Sequence, residues 1–364
     1  MLFLLACTSP DDSAAPEDTA TDWEFVAPDE EGPYGVSATT MKWTDARGQD
    51  LVAEVWYPVD ACDEPEPYPE ITIEGEACRD LAPSGGGRPI VAFSHGFAGI
   101  RYQSIFLTEA LARHGFVVVA PDHPHNTFLD LDMDASAEVA LRRPGDVVSS
   151  VDELLRRSEE GDPILGGVAD DGARYAMTGH SFGGWTTLAV AGGVTDIDAL
   201  RAWCKKDPEN DLCSFADGFP EGAEVEGAPD PRAVVAVPMA PGGWYSFGDA
   251  GLATVAPTLQ FAGDRDSVET LDEEARPLYD RLPAPKAFAL LAGAEHYAFS
   301  DICLIGDLVP DCEEEAGGYI DLDTAHAIVR ELTIAWIQVY LRGDDRYAEW
   351  IADRWDALTL ESSP

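Results

Sequence analysis

The chain has 364 residues, 45% of them hydrophobic, enough for one large α/β domain or two small ones with a sizeable core. Its formal charge is −45 at pH 7, and only four lysines occur: Lys42, Lys205, Lys206 and Lys286. Phosphate binding needs Lys and Arg, so this balance excludes nucleic acid as a partner for the bulk of the surface and disfavours anionic lipid headgroups. An acidic, lysine-poor surface also suits salty water, where counter-ions screen the self-repulsion.

The chain opens Met-Leu-Phe-Leu-Leu-Ala-Cys. Leu4-Leu5-Ala6-Cys7 resembles a bacterial lipobox, in which the cysteine (here Cys7) is lipidated and becomes the mature N-terminus. The apolar stretch before Cys7 is shorter than an export signal and carries no basic residue, which points to a shortened start. Thr8 to Asp22 is rich in Ser, Thr, Pro, Asp and Glu without hydrophobic period. Such a segment buries too little surface to fold and reads as a tether. The expected organisation is a signal remnant and acidic tether over 1–32, then a single α/β domain over 33–364. An exported protein follows, either secreted or held at the cell envelope through Cys7. No other segment is long and apolar enough to span a membrane.

Apolar runs and helical patterns then alternate. Tyr34 to Trp43 and Leu51 to Pro58 read as an opening hairpin. Pro89 to Ser94 and Phe116 to Ala120 are buried strands, with a helix over Gln103 to His114 between them. Asp146 to Glu160 is helical, with Val147, Val148, Val151, Leu154 and Leu155 on its apolar face. Tyr175 to Thr178 is a strand, and Trp185 to Val190 suits a helix. Ala233 to Val237, Thr258 to Ala262 and Ala287 to Leu291 are further strands, and Leu271 to Leu282 and Thr324 to Leu341 are helices. The expected fold is α/β, a mostly parallel eight-stranded sheet with helices on both faces.

Three polar loops interrupt this pattern: Ala61 to Arg88, Thr195 to Arg232 and Asp301 to Tyr319. Each brackets one local cysteine pair: Cys62 with Cys78, Cys204 with Cys213, Cys303 with Cys312. Six cysteines allow many connectivities, and local pairing is the simplest. An unstrained bridge would stabilise such a loop by roughly 2–4 kcal/mol. None of the pairs has the Cys-x-x-Cys spacing of a zinc site.

Between the strand at Tyr175 and the following helix lies Gly179-His180-Ser181-Phe182-Gly183. A serine on a sharp strand-to-helix turn sits in strained backbone, and its neighbours two residues away must be small. Its hydroxyl then projects at the positive end of the helix. Ser181 is therefore the candidate nucleophile, and adjacent His180 reads as packing. In open α/β sheets chemistry gathers at the C-terminal strand ends. His296 follows the strand ending at Leu291 and is the candidate general base. Asp266 and Asp264 both follow the strand ending at Ala262. Asp266, further past the strand end, is favoured to orient the histidine; Asp264 suits a turn cap, and Asp249 is a distant third. An oxyanion hole needs two backbone N–H groups. Phe182, after the nucleophile, and Phe97, in His95-Gly96-Phe97-Ala98-Gly99, are the natural donors. His95 reads as structural.

These segments carry a family resemblance. Phe93-Ser94-His95-Gly96-Phe97, Leu111-Ala112-Arg113-His114-Gly115-Phe116 and the turn at Ser181 are similar to platelet-activating-factor acetylhydrolases and dienelactone-hydrolase-like esterases. Pro257-Thr258-Leu259, Asp266-Ser267-Val268 and Tyr340 to Tyr347 are closer to bacterial polyester hydrolases. The resemblance spans roughly Tyr34 to Trp350 and implies an α/β-hydrolase fold. It also implies a Ser181–Asp266–His296 triad with Phe97 and Phe182 as oxyanion donors, no cofactor, and hydrolysis of carboxylic esters.

Neutral esters with short acyl groups are expected as substrates, with polyester or phospholipid acetyl hydrolysis as alternatives. The aromatic cluster at Trp244 and Tyr245, together with His123, is the candidate substrate contact. Two readings from other classes stay open. One is an inactive hydrolase fold serving as a surface binding module. The other is a metal site on Asp122, His123 and His125, for which further ligands are not evident.

Overall fold

The computed structural model describes residues 24–70, 73–170, 172, 174–206, 213–216, 218–302 and 318–364. Cys7, Cys303, Cys312 and the segment Thr8 to Asp22 lie outside them. The strands are β1 (Gly35–Thr44), β2 (Asp50–Val59), β3 (Cys78–Arg79), β4 (Ile90–Ser94), β5 (Val117–Pro121), β6 (Tyr175–His180), β7 (Ala233–Met239), β8 (Thr258–Gly263), β9 (Lys286–Leu291) and β10 (Leu358–Ser363). They form one sheet in the order β10-β9-β8-β7-β6-β4-β5-β2-β1-β3. Six central strands, β4 to β9, pair in parallel. The β1–β2 hairpin joins β5 in antiparallel register, and β10 closes the opposite edge antiparallel to β9.

Alternation explains the layers, because successive strand residues face opposite sides. In β5, Val117 and Val119 point to one apolar cluster, and Val118 and Ala120 to the other. Helices α1 (Ile105–Arg113) and α7 (Leu322–Tyr340) cover the face with Val118, through Leu107, Leu111, Ile328 and Leu332. Helices α2 (Ser136–Glu160), α3 (Phe182–Val190) and α6 (Arg276–Arg281) cover the other, through Val147, Val151, Leu188 and Leu278. Each such side chain, fully buried, stabilises the fold by about 1.5–3 kcal/mol.

The structure departs from the sequence expectation in several places. Among the described residues the sheet has ten strands rather than eight. The added β3 is two residues long and the added β10, Leu-Thr-Leu-Glu-Ser-Ser, is an edge strand with one buried residue. Neither shows a buried apolar run. Helix α2 begins ten residues before Asp146 and carries Pro144 in its interior. Pro-Gly ordinarily breaks a helix, and here packing overrides it. The second polar loop holds α4 (Ile197–Cys204) and α5 (Cys213–Ala216), joined by a Cys204–Cys213 disulfide. Cys62 and Cys78 are likewise bonded. Residues 24–32, assigned to the tether by composition, dock onto the body. The Phe25 ring lies 4.9 Å from Tyr347, and the Glu30 carbonyl accepts a hydrogen bond from His114.

The chain leaves β4 toward β5 on one side and returns to β6 on the other. Ligand crevices form outside the carboxyl ends of strands at such a reversal.

Candidate active site

At that reversal the loop after β4 meets the turn after β6. Ser181 adopts φ 56° and ψ −118°, a left-handed backbone that a non-glycine residue holds only under constraint. The constraint is visible: Ser181 N–H donates to the Met239 carbonyl at 2.9 Å, and Trp185 N–H to the Ser181 carbonyl at 3.1 Å. A Cβ on Gly183 would lie 1.9 Å from the Ser94 carbonyl oxygen, and one on Gly179 would lie 2.5 Å from the Gly183 oxygen. Only glycine permits α3 to start this close to β4.

The loops after β8 and β9 are laced together. Arg265 N–H donates to the Ala294 carbonyl at 3.0 Å, and Gly293 N–H to the Asp264 carboxylate at 2.7 Å. Asp264 thus holds the turn. Ser267 donates to Glu295 from its N–H at 3.2 Å and its hydroxyl at 3.1 Å, and Glu295 also accepts from His296 N–H. This lacing sets Asp266 beside His296, with Oδ2 3.0 Å from Nδ1. The other Asp266 oxygen accepts the N–H groups of Val268 at 2.9 Å and Glu269 at 2.7 Å. Both side chains are buried, so the pair interacts with little screening from water. Asp249 is exposed, outside this arrangement. Ser181, His296, Phe97, Phe182 and Tyr245 all line one cavity of about 770 Å³.

His180 does more than pack. It is fully buried, and burial pulls its pKa well below the usual imidazole value, so it stays neutral. Gln103 accepts the Gly96 N–H at 2.7 Å and donates to His180 Nδ1 at 2.7 Å; His180 Nε2–H then donates to the His296 carbonyl at 2.8 Å. One relay therefore ties the loop after β4 to the backbone of the candidate base. Neither Gln103 nor this role of His180 has a signal in the sequence, because the three segments are distant along the chain.

Two of the three candidate substrate contacts fall elsewhere. His123 is buried behind the site: Nε2 accepts from the Ser94 hydroxyl at 2.9 Å, and Nδ1–H donates to Asp146 at 3.0 Å. Both ring nitrogens are thus engaged within the protein. Asp122 pairs with Arg101, whose backbone N–H it also accepts at 2.7 Å, so Asp122 and His123 do not present a metal site. Trp244 is not among the residues lining the cavity. Its indole donates to the Glu273 carbonyl at 2.8 Å, with the Arg281 guanidinium 3.9 Å over its ring. Tyr245 does line the cavity, and stacks on Trp203 of α4 at 3.7 Å. The disulfide-held helix, with Ile197 and Leu200, thereby becomes part of the wall.

Glu274 also lines the cavity and accepts the Gly243 N–H at 2.8 Å. Burial pushes its carboxyl up to about 7 against these hydrogen bonds. A folded value above the ordinary one means that the fold favours the protonated form. That contribution is complete below about pH 4.5 and is lost as pH rises through about 7. The Tm difference between Glu274→Gln and wild type is therefore expected to move in favour of the variant from pH 5 to pH 8. A constant difference in thermal melts across that window would contradict it.

The mostly parallel sheet with helices on both faces is the fold of an α/β-hydrolase. The chlorophyllase family model matches residues 80–208. Over longer stretches the chain is similar to Cutinase 1 of Thermobifida cellulosilytica, 24% identical over 72% of this chain and 71% of that protein. Cutinase 2 of the same organism is 25% identical over 81% and 88%. Platelet-activating factor acetylhydrolase of Cavia porcellus is 21% identical over 73% of this chain and 61% of its own.

Proposed function

We propose that this protein is a serine hydrolase of neutral carboxylic esters, with Ser181 as nucleophile, His296 as general base and Asp266 as its orienting carboxylate. The observation that carries this is His296, paired with buried Asp266, in one cavity with a serine held at φ 56°. Ser181 attacks the ester carbonyl as His296 takes its proton. The tetrahedral oxyanion is held by the N–H groups of Phe97 and Phe182. Collapse expels the alcohol, protonated by His296, and leaves an acyl-serine. Water activated by the same imidazole then releases the acid. The similarity to cutinases and to an acetylhydrolase supports ester over amide chemistry.

Neutral substrates fit the charge of −45 and the Glu269 carboxylate at the cavity. Short acyl esters are the first class to test. One observation favours a second reading, a cutinase-like action on aggregated or polymeric esters. Phe97, Phe128, Met133 and Val268 are large, exposed and at the cavity, and exposed Leu129 and Leu131 share the loop of Phe128. Contiguous exposed apolar side chains mark interaction surfaces. Facing water, such a rim gains nothing; against an apolar surface it sheds its hydration and is stabilised.

Two disulfides suit an oxidising compartment, which supports export. Lipidation at Cys7, and with it a membrane tether, is the further proposal for location. The deciding experiment is a panel of p-nitrophenyl esters from acetate to laurate, a phospholipid and a polyester film, with fluorophosphonate labelling mapped to its residue. Ester turnover and a label on Ser181 are expected. No turnover and no label would instead favour the binding-module reading.

A further inference from the structure

We propose that Arg143 is a positioning residue for the oxyanion hole, its buried guanidinium fixing from behind both backbone segments that supply the donors. The inference rests on the reading of Ser181 as nucleophile. Arg143 sits on α2 with no exposed surface. A buried cation costs several kcal/mol unless it is fully hydrogen-bonded. Its Nη1 donates to Asn126 Oδ1 at 2.6 Å, its Nε to Thr186 Oγ1 at 3.2 Å, and its Nη2 to Ser94 Oγ at 3.1 Å and to the His95 carbonyl.

These partners lead to the two donors. The guanidinium lies 4.4 Å over the Phe182 ring. Thr186, which accepts from Arg143, donates a hydrogen bond from its own hydroxyl to the Phe182 carbonyl at 2.9 Å. Phe182 is thus held at ring and backbone. On the other side Arg143 grips the His95 carbonyl, and His95 Nδ1–H donates to the Gly96 carbonyl at 2.7 Å. That carbonyl belongs to the same trans peptide plane as the Phe97 N–H, so holding one aims the other the opposite way. A planar fork with donors on three nitrogens does this; an ammonium cannot. Preorganised donors stabilise the anionic transition state without reorganisation.

The test compares Arg143→Met, Arg143→Lys and Thr186→Val with wild type, rates being expressed per site titrated with a fluorophosphonate. In Arg143→Met kcat is expected to fall on the order of 10²-fold, with KM changed less than about threefold. Affinity for a boronic acid, whose serine adduct is tetrahedral and anionic, falls by the same factor as kcat/KM. Arg143→Lys recovers part of the loss. Should Arg143→Met fail to fold, Thr186→Val carries the test, with kcat expected to drop about tenfold at unchanged KM. A lower Tm with kcat per titrated site and boronate affinity unchanged would show a merely structural role and overturn the proposal. A wild type that neither turns over esters nor labels at Ser181 overturns the functional reading as well, so the two failures are distinguishable.

Discussion

Replacing Ser181 with alanine is expected to lower kcat/KM on a neutral p-nitrophenyl ester by on the order of 10⁴- to 10⁶-fold. The residue's constraint lies in its backbone, in the bonds to Met239 and from Trp185, so the fold should survive loss of the hydroxyl. Asp266→Asn should approach the same loss, on the order of 10⁴-fold, although it keeps the shape. An amide at this position must still accept from Val268 and Glu269 N–H with its oxygen, which turns its NH₂ toward His296 Nδ1. That favours the tautomer with the proton on Nε2, which cannot take the serine proton. Initial rates and endpoint labelling check both variants, and undiminished turnover in Ser181→Ala would remove the mechanism.

The second large effect is expected from Gly183→Ala. The added carbon would stand 1.9 Å from the Ser94 oxygen and 2.8 Å from the His95 oxygen, both backbone atoms at the end of a central strand. Neither can swing aside, so α3 must retreat from β4. That movement carries Phe182 and Ser181 with it and separates the two segments proposed to supply the oxyanion donors. A displacement on the order of 1 Å costs about 10²-fold in rate, and strain of this kind typically removes about 3 kcal/mol of stability. Gly184→Ala is the matched comparison: its carbon would meet the Pro241 Cβ at 3.0 Å, a milder approach. Thermal melts and kcat of the two variants should rank accordingly; equal, small effects would refute the close-approach argument.

Much of the site was legible because its signals are local. Gly179, Ser181 and Gly183 express one sharp turn within five residues, and the loops bearing Asp266 and His296 follow strands whose apolar runs are unmistakable. Distance past the strand end and the family resemblance both favour Asp266 over Asp264; in the structure Asp264 holds Gly293 and Asp266 faces His296. His123 and Trp244 misled for a common reason. Each lies beside the site in sequence, and its direction depends on partners such as Asp146 and Glu273 that no local pattern names. The Pro-Gly pair suggests a helix start at Asp146, whereas α2 runs through it and carries Arg143 just before it.

The strand and helix periods, the strained serine turn and the acidic surface were determined by residues near one another along the chain, since backbone geometry and side-chain alternation act over a few residues. Only the tertiary structure decided that α4 walls the cavity and that Gln103 and His180 bridge two loops. It also decided that one buried guanidinium stands behind both the loop after β4 and the start of α3. These are encounters between segments tens of residues apart, and their hydrogen bonds exist only once the sheet has brought β4, β6 and β9 to a common edge.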